Sequence, residues 1–293
     1  MGSRPFADLL DSSVDCAENY RGSRPFADLL ESATDNSENA TMRKHLNLLV
    51  DYVDATFQPI SEQLSTLLAK KEITYALLWA LFEPNAEVYT TCPDTGAPRC
   101  VIFNYCEERK KMDGSRYMHL ETRYLNTDGK VLGEVTTGLE IPHFRGTKQI
   151  EHLQAYPLLY HPEKDRVRRD LTQYGRTFVS LIGIHHRYYK GKAFFIDTDS
   201  DDNEIVARHI EGRIMVDTIC FQERMPNYPC ARVQKVRPRY SASGRCDSIR
   251  LADIIPSEAD EAEFLICSPT VLGFCLSNKQ FRLWLSSPAG RHS

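Results

Sequence analysis

The stretch YMHLETRYLNTDGKVLGEVTTGLEI (Tyr117–Ile141) decides how this chain folds. From Tyr117 to Leu125 the residues alternate, so that Met118, Leu120, Thr122 and Tyr124 share one face of an extended chain. Val131–Ile141 answers in phase, with Val131, Val135, Leu139 and Ile141. Between them lies Thr127-Asp128-Gly129-Lys130, whose Asp-Gly pair accepts the positive φ angles of a tight hairpin. Two such strands bury one face and leave the other toward solvent, which is the pattern of an antiparallel sheet.

Working outward from this hairpin, Arg99–Cys106 reads as a preceding strand and Glu163–Leu181 as a following helix. Strands at Lys192–Ile196 and His209–Val216 flank an acidic loop, Asp197–Glu204. Residues 224–262 hold Pro226, Pro229, Pro238, Gly244 and Pro256 and read as a long irregular insertion. An apolar strand at Phe264–Cys267 and a short helix after Ser277 complete the pattern. On the N-terminal side, Leu46, Leu49, Val50, Val53 and Phe57 follow the i, i+3, i+4, i+7 spacing of a helix with one buried face. Pro59 is expected to end that helix, with Ser61 capping a second that carries Leu64, Leu67 and Leu68. A third helical segment is expected over Glu72–Phe82, where Ile73, Leu77, Trp79, Ala80 and Leu81 are apolar on nearly every side. The expected class is therefore α+β: an N-terminal helical region, then a mostly antiparallel sheet that could close toward a barrel, with one or two helices.

Composition bounds the function. The 293 residues are 42% hydrophobic and 26% charged, which is ordinary for a globular protein and excludes collagen-like or wholly disordered chains. The net charge is −4, from 36 basic and 40 acidic residues, so bulk charge does not point to nucleic acid or to an anionic membrane. Residues 1–40 alone carry 8 acids and 3 bases, which leaves the remaining chain near neutrality. Nine cysteines, an odd number in a chain of this size, with no apolar leader at the start, favour reduced thiols in the cytoplasm or nucleus. The longest apolar runs, near Tyr75–Phe82 and Phe178–Ile184, are far shorter than the ~18 residues of a membrane span, so no membrane partner is expected.

The first 40 residues contain a duplication: GSRPFADLL at Gly2–Leu10 recurs unchanged at Gly22–Leu30. Its surroundings are rich in Ser, Asp, Glu and Asn, a composition expected to be disordered. As a docking motif it would present Phe26, Leu29 and Leu30; tandem duplication in a tolerant tail is the plainer account.

Chemical motifs are sparse. Asp197, Asp199 and Asp201 alternate like a calcium loop, but Asp202 stands where the turn needs glycine and Arg208 where a bidentate glutamate belongs. Cys92, Cys100 and Cys106 lack the close pairing of zinc ligands, and His185-His186 are adjacent, so no metal is expected. There is no G-x-S-x-G and no G-x-x-x-x-G-K-[ST], so neither a nucleophile elbow nor a P-loop is present, and no catalytic residue is assigned. Residues 164–192 are locally basic, and Arg187-Tyr188-Tyr189-Lys190 interleaves charge with aromatics as single-stranded nucleic-acid surfaces do. Pairing of those bases with nearby acids is the commoner explanation, and nucleic acid is the less favoured partner.

Six strings, taken together, carry a family resemblance: ITYALLWALF (Ile73–Phe82), FRGTKQIEHLQAYPLLYH (Phe144–His161), YGRTFVSL (Tyr174–Leu181), YYKGKAFF (Tyr188–Phe195), EGRIMVD (Glu211–Asp217) and FLICSPTVLGFCLSNKQ (Phe264–Gln280). In this order they resemble the domain of unknown function that precedes the ATPase core in fungal AAA-family ATPases. The resemblance implies a non-catalytic accessory domain that recognises protein partners. ATP and magnesium would enter only with an ATPase core, and no residue that binds them can be carried over to this sequence. It also implies an organisation: an acidic leader at 1–42, an accessory domain at 43–280 with a helical lead-in at 43–83, and a divergent tail at 281–293. The chain then looks like the N-terminal half of such a protein, either from a truncated gene model or as a stand-alone paralogue.

Overall fold

Tyr117–Ile141 forms the hairpin its alternation predicts, at one edge of a sheet of five strands. A computed structural model describes residues 37–130, 132–196, 205–226, 228, 259–276, 280–286 and 291–292. The readings of Phe26, Leu29, Leu30, the acidic loop Asp197–Glu204 and most of the 224–262 insertion lie outside these residues. The chain divides into two units, Met1–Glu72 and Ile73–Ser293.

In the first unit, α1 (Ser37–Ala69) is one helix that runs through Pro59. The expected break at Pro59 is absent. A proline removes one helical hydrogen bond but leaves the turns on either side intact, and Gln58 and Glu62 bridge the site with a 3.0 Å side-chain hydrogen bond. The expected buried face is absent too, because none of the described side chains of α1 is buried.

The second unit begins with β1 (Glu72–Thr74) and a 3₁₀ turn at Tyr75–Ala80, which replace the helix expected over Glu72–Phe82. Most apolar residues of this stretch sit in the core instead, since Ile73, Tyr75, Leu77, Leu78, Leu81 and Phe82 are all buried, but Trp79 is exposed against expectation. The first large sheet contains β2 (Glu87–Thr91), β3 (Pro98–Lys110), β4 (Arg116–Thr127), β5 (Leu132–Pro142) and β7 (Ala155–Pro157), in the order β5-β4-β3-β2-β7. A short β6 (Thr147–Gln149) pairs with β1. Met118, Leu120, Thr122 and Tyr124 are buried on one face, as are Val135, Leu139 and Ile141 opposite them. The turn between β4 and β5 is longer than a two-residue hairpin, since Thr127 pairs with Leu132. Among its described residues, Gly129 alone has a positive φ, +98°. Its amide donates to Thr127 Oγ1 at 3.0 Å, and the Lys130 amide donates to Asp128 Oδ1 at 2.9 Å.

α2 (Lys164–Ser180) follows, close to its expected bounds. It turns Leu171 toward Cys100, Leu158 and Leu265, and Phe178 and Val179 toward a cluster that includes Leu125, Tyr189, Ile214 and Trp284. One helix thus packs on residues of both large sheets. The second sheet contains β8 (Ile184–Ile196), β9 (Ile205–Asp217), β10 (Thr270–Cys275), β11 (Gln280–Leu285) and β12 (Arg291–His292). β8 and β9 each begin earlier than their apolar runs suggested, because the full 13-residue ladder pairs polar residues as well. The order is β11-β10-β9-β8-β12, and β11 also pairs with β8 at two positions, so β8 to β11 are joined in a ring of pairings. A continuous barrel is not shown by so short a closure.

Two short elements connect these parts: α3 (Thr218–Arg224), capped by the Asp217 side chain, and α4 (Glu261–Leu265). Phe264–Cys267 was expected as a strand. Asp260 and Glu263 instead form a reciprocal capping box that starts a helix there. The expected helix after Ser277 is not formed at residues 280–285, which build β11 instead: Arg282, Leu283, Trp284 and Leu285 are all buried, on both faces of a strand in a ladder with β10. Every ladder of the two five-stranded sheets is antiparallel; among the described residues an isolated parallel bridge joins Leu125 to Cys267. Among the described residues, no helix is long and apolar enough to cross a membrane.

Candidate functional site

The β3–β4 connection is Lys110-Lys111-Met112-Asp113-Gly114-Ser115-Arg116, a basic turn closed by local hydrogen bonds. Asp113 Oδ1 accepts from the Ser115 amide at 2.8 Å and from its hydroxyl at 2.6 Å. These donors hold the Asp113 carboxyl below the usual carboxylate range. Gly114 takes φ +84° and its amide donates to the Lys111 carbonyl at 3.0 Å. The β4–β5 register sets Tyr117 opposite Pro142, which brings His143 beside the turn. The His143 amide donates to the Arg116 carbonyl at 3.0 Å.

The result is a half-open recess of about 310 Å³ lined by Lys111, Ser115, Arg116, Tyr117, Pro142 and His143, with Gly114 at its rim. Lys111 Nζ is 2.8 Å from Glu140 Oε2 and 5.2 Å from the Tyr117 ring centre. The Glu140 carboxylate raises the Lys111 ammonium above its ordinary pKa, so Lys111 stays charged at neutral pH. Arg116 is held less closely: Nη1 is 3.4 Å from Glu108 Oε1, and Nη2 is 3.4 Å from His143 Nε2. The His143 ring is fixed from behind by Tyr75, whose centroid is 4.4 Å away. This arrangement offers two permanent cations, one imidazole and one aromatic face around a cavity open to solvent. Chemically, it suits a carboxylate-bearing group carried on an extended or small apolar body.

β5 forms one wall of the recess and is the outermost strand of its sheet. Among the described residues no ladder occupies its second edge. The neighbouring open face carries Tyr105, whose hydroxyl donates to Glu121 at 3.0 Å, and His119, whose ring lies over Gly138. Deeper in the sheet Arg123, with a side chain only 14% exposed, ties three segments together through Asn85 at 2.9 Å, Glu134 at 3.2 Å, and Asn104. This network fixes the sheet and leaves Arg123 little freedom to serve a ligand.

The residues singled out in the sequence do not converge. Strand alternation sends the members of Arg187-Tyr188-Tyr189-Lys190 to opposite faces of β8. Tyr189 is buried, with its ring 4.9 Å from that of Trp284 and its hydroxyl donating to the Lys192 carbonyl at 2.6 Å. Tyr188 and Lys190 face outward and share Glu211, at 2.8 Å and 2.9 Å. That double contact, with Lys190 the stronger influence, lowers the Glu211 pKa. Arg187 donates to the His186 carbonyl at 2.9 Å. Other bases of the segment are paired as well: Arg166 with Glu163 and Asp170, Arg168 bidentately with Glu87, and Arg176 with Glu261.

Among the described residues, Cys92, Cys100, Cys106, Cys220 and Cys267 are free thiols, and no group of three His, Cys, Asp or Glu is placed to hold a metal. Burial raises the Cys100 and Cys267 thiols far above their ordinary range, so neither is a ready nucleophile.

Sequence reasoning missed the recess. The signal available to it was KKMDGSR, a second Asp-Gly turn enclosed by basic residues. Residues 63–162 match the family model of a domain of unknown function, DUF7025. The matched segment runs from the end of α1 through β7 and contains every residue of the recess, whereas Arg187–Lys190 lie beyond it. It starts earlier and stops earlier than the expected resemblance, which covered about 73–280. No curated protein and no solved structure matches the chain.

Proposed function

We propose that this chain is a non-catalytic protein-recognition domain, which takes an acidic, extended segment of a partner at the recess and along the β5 edge. The observation that carries this reading is the convergence of Lys111, Arg116 and His143 on one half-open cavity beside an outermost strand. Arg116 meets both of its neighbours at the long limit of a hydrogen bond, so an incoming carboxylate can draw its guanidinium into a bidentate pair. An extended peptide beside β5 would complete the backbone pairing that the sheet leaves open. The sequence resemblance supports the further step that this recognition serves an AAA+ ATPase-like protein, with ATP and magnesium held by a core outside this chain.

Selection of the purified chain against a displayed random-peptide library tests the reading. Acidic extended peptides should be enriched, and the Lys111→Glu/Arg116→Glu pair should abolish enrichment while the chain stays folded by circular dichroism. Enrichment that survives this charge reversal would overturn the site. ATP hydrolysis by the purified chain would overturn the non-catalytic assignment. Reading the transcript beyond the Ser293 codon for an in-frame Walker A sequence tests the ATPase connection separately.

A further inference from the structure

α1 carries a feature that the i, i+3, i+4 description of its apolar residues conceals. Leu46, Val50, Val53, Phe57, Ile60, Leu64 and Leu67 are spaced 4, 3, 4, 3, 4, 3, an unbroken heptad pattern over three heptads. The mean step is 3.5 residues, shorter than the 3.6 of a straight helix, so a seam with this repeat stays in register only on a helix that supercoils to the left around another.

Three observations show that the seam needs an occupant. No described side chain of α1 is fully buried: Leu46, Val50, Ile60, Leu64 and Leu67 are half-buried, and Phe57 is exposed. The helix is 33 residues long and has Pro59 in its interior, at a cost of about 3 kcal/mol. Most helical stability comes from packing of an apolar face, and the exposed Gln58–Glu62 hydrogen bond offsets only a small part of that cost. Pro59 falls outside the seven seam positions, between Phe57 and Ile60, so its ring points away from them and the seam is uninterrupted.

The occupant that fits is a second copy of the same helix. The flanking positions within the seam are Asn47, Leu49, Asp54, Thr56, Ser61 and Gln63. Asp54 is their single charge, so two copies can meet without a row of opposed like charges. Burying a Leu, Val, Ile or Phe side chain is worth about 1.5–3 kcal/mol at about 25 cal/mol per Å², or roughly 60–120 Å² each. Seven fully exposed seam residues on each of two helices would bury about 800–1,700 Å²; Leu46, Val50, Ile60, Leu64 and Leu67 are already half-buried on α1, so the seam supplies less than this and the flanking residues complete the interface.

We propose that α1 pairs with α1 of a second copy of this chain, through the seam from Leu46 to Leu67, as a left-handed coiled coil. The pairing is independent of the recess and of its ligand. It is tested on the full chain by sedimentation equilibrium at several concentrations, which should give a mass at least twice that of one chain. Ile60→Ala together with Leu64→Ala puts good helix formers at both positions, so intrinsic helix propensity is kept while the seam is thinned. This pair should weaken the self-association at least tenfold. Leu48 and Tyr52 are the most exposed apolar residues of α1, at 70% and 69%, and they lie off the seam. Leu48→Asp with Tyr52→Asp should therefore leave the association unchanged. A monomeric wild-type chain, an association untouched by the alanine pair, or one abolished by the aspartate pair would each overturn the proposal.

Discussion

Tyr188 and Tyr189 are neighbours in the chain and opposites in role. Tyr189→Ala removes a buried ring and its hydrogen bond to Lys192, and should lower stability by about 3–5 kcal/mol in urea unfolding. Tyr188→Ala should leave the midpoint almost where it is. Replacing all of Arg187–Lys190 at once would thus unfold the protein as well as strip its surface, and Tyr188→Ala/Lys190→Ala is the informative pair for any oligonucleotide assay. The buried phenols also set an alkaline limit. Burial raises Tyr156 and Tyr189 from 10.0 to about 12, so the native state holds these protons more tightly than the unfolded chain. Their stabilising contribution is complete below about pH 10 and is lost as pH rises to about 12. Urea midpoints should fall across that window, and Tyr156→Phe should flatten the fall.

The same strand alternation explains what could be read at the level of elements. The β4–β5 hairpin was legible because polar and apolar residues alternate through Tyr117–Ile141 and an Asp-Gly pair marks the turn. Phe264–Cys267 was not, since a short apolar run fits a strand or a buried helix equally well. The decision lay in Asp260 and Glu263, just outside the run. Asp260→Ala should destabilise the protein by about 1 kcal/mol through loss of this cap. At the hairpin, Gly129→Ala forces a side chain onto a backbone with φ +98° and sets its Cβ 2.7 Å from Ile219. The conformational cost alone is about 1–2 kcal/mol, so thermal unfolding should report at least that. The recess escaped sequence reading for a different reason. Lys111 and Arg116 are local to one turn, but His143 arrives only through the register of β4 against β5.

At the scale of the whole second unit, α2 is the shared wall. Leu171 serves the cluster around Cys100, while Phe178 serves the cluster around Tyr189 and Trp284. Gly175 lies between them and lets α4 come close: a Cβ there would sit 1.9 Å from the Phe264 carbonyl oxygen. Gly175→Ala should therefore displace α4 and cost about 1–3 kcal/mol, read as a lower urea midpoint. Periodicity located α2 in the sequence, but which of its residues met which sheet depended on contacts with strands far away in the chain.

The pairing of β11 with β8 has a consequence in time. Phe194 and Leu283 are register partners. At about 5–20 residues per second, a translating ribosome needs roughly 5–20 s to make the chain between them. Throughout that interval the nascent β8 carries a length of unclaimed edge that ends as a paired strand. Synthesis slowed by rare codons between β9 and β11 would prolong the exposure and favour aggregation before release.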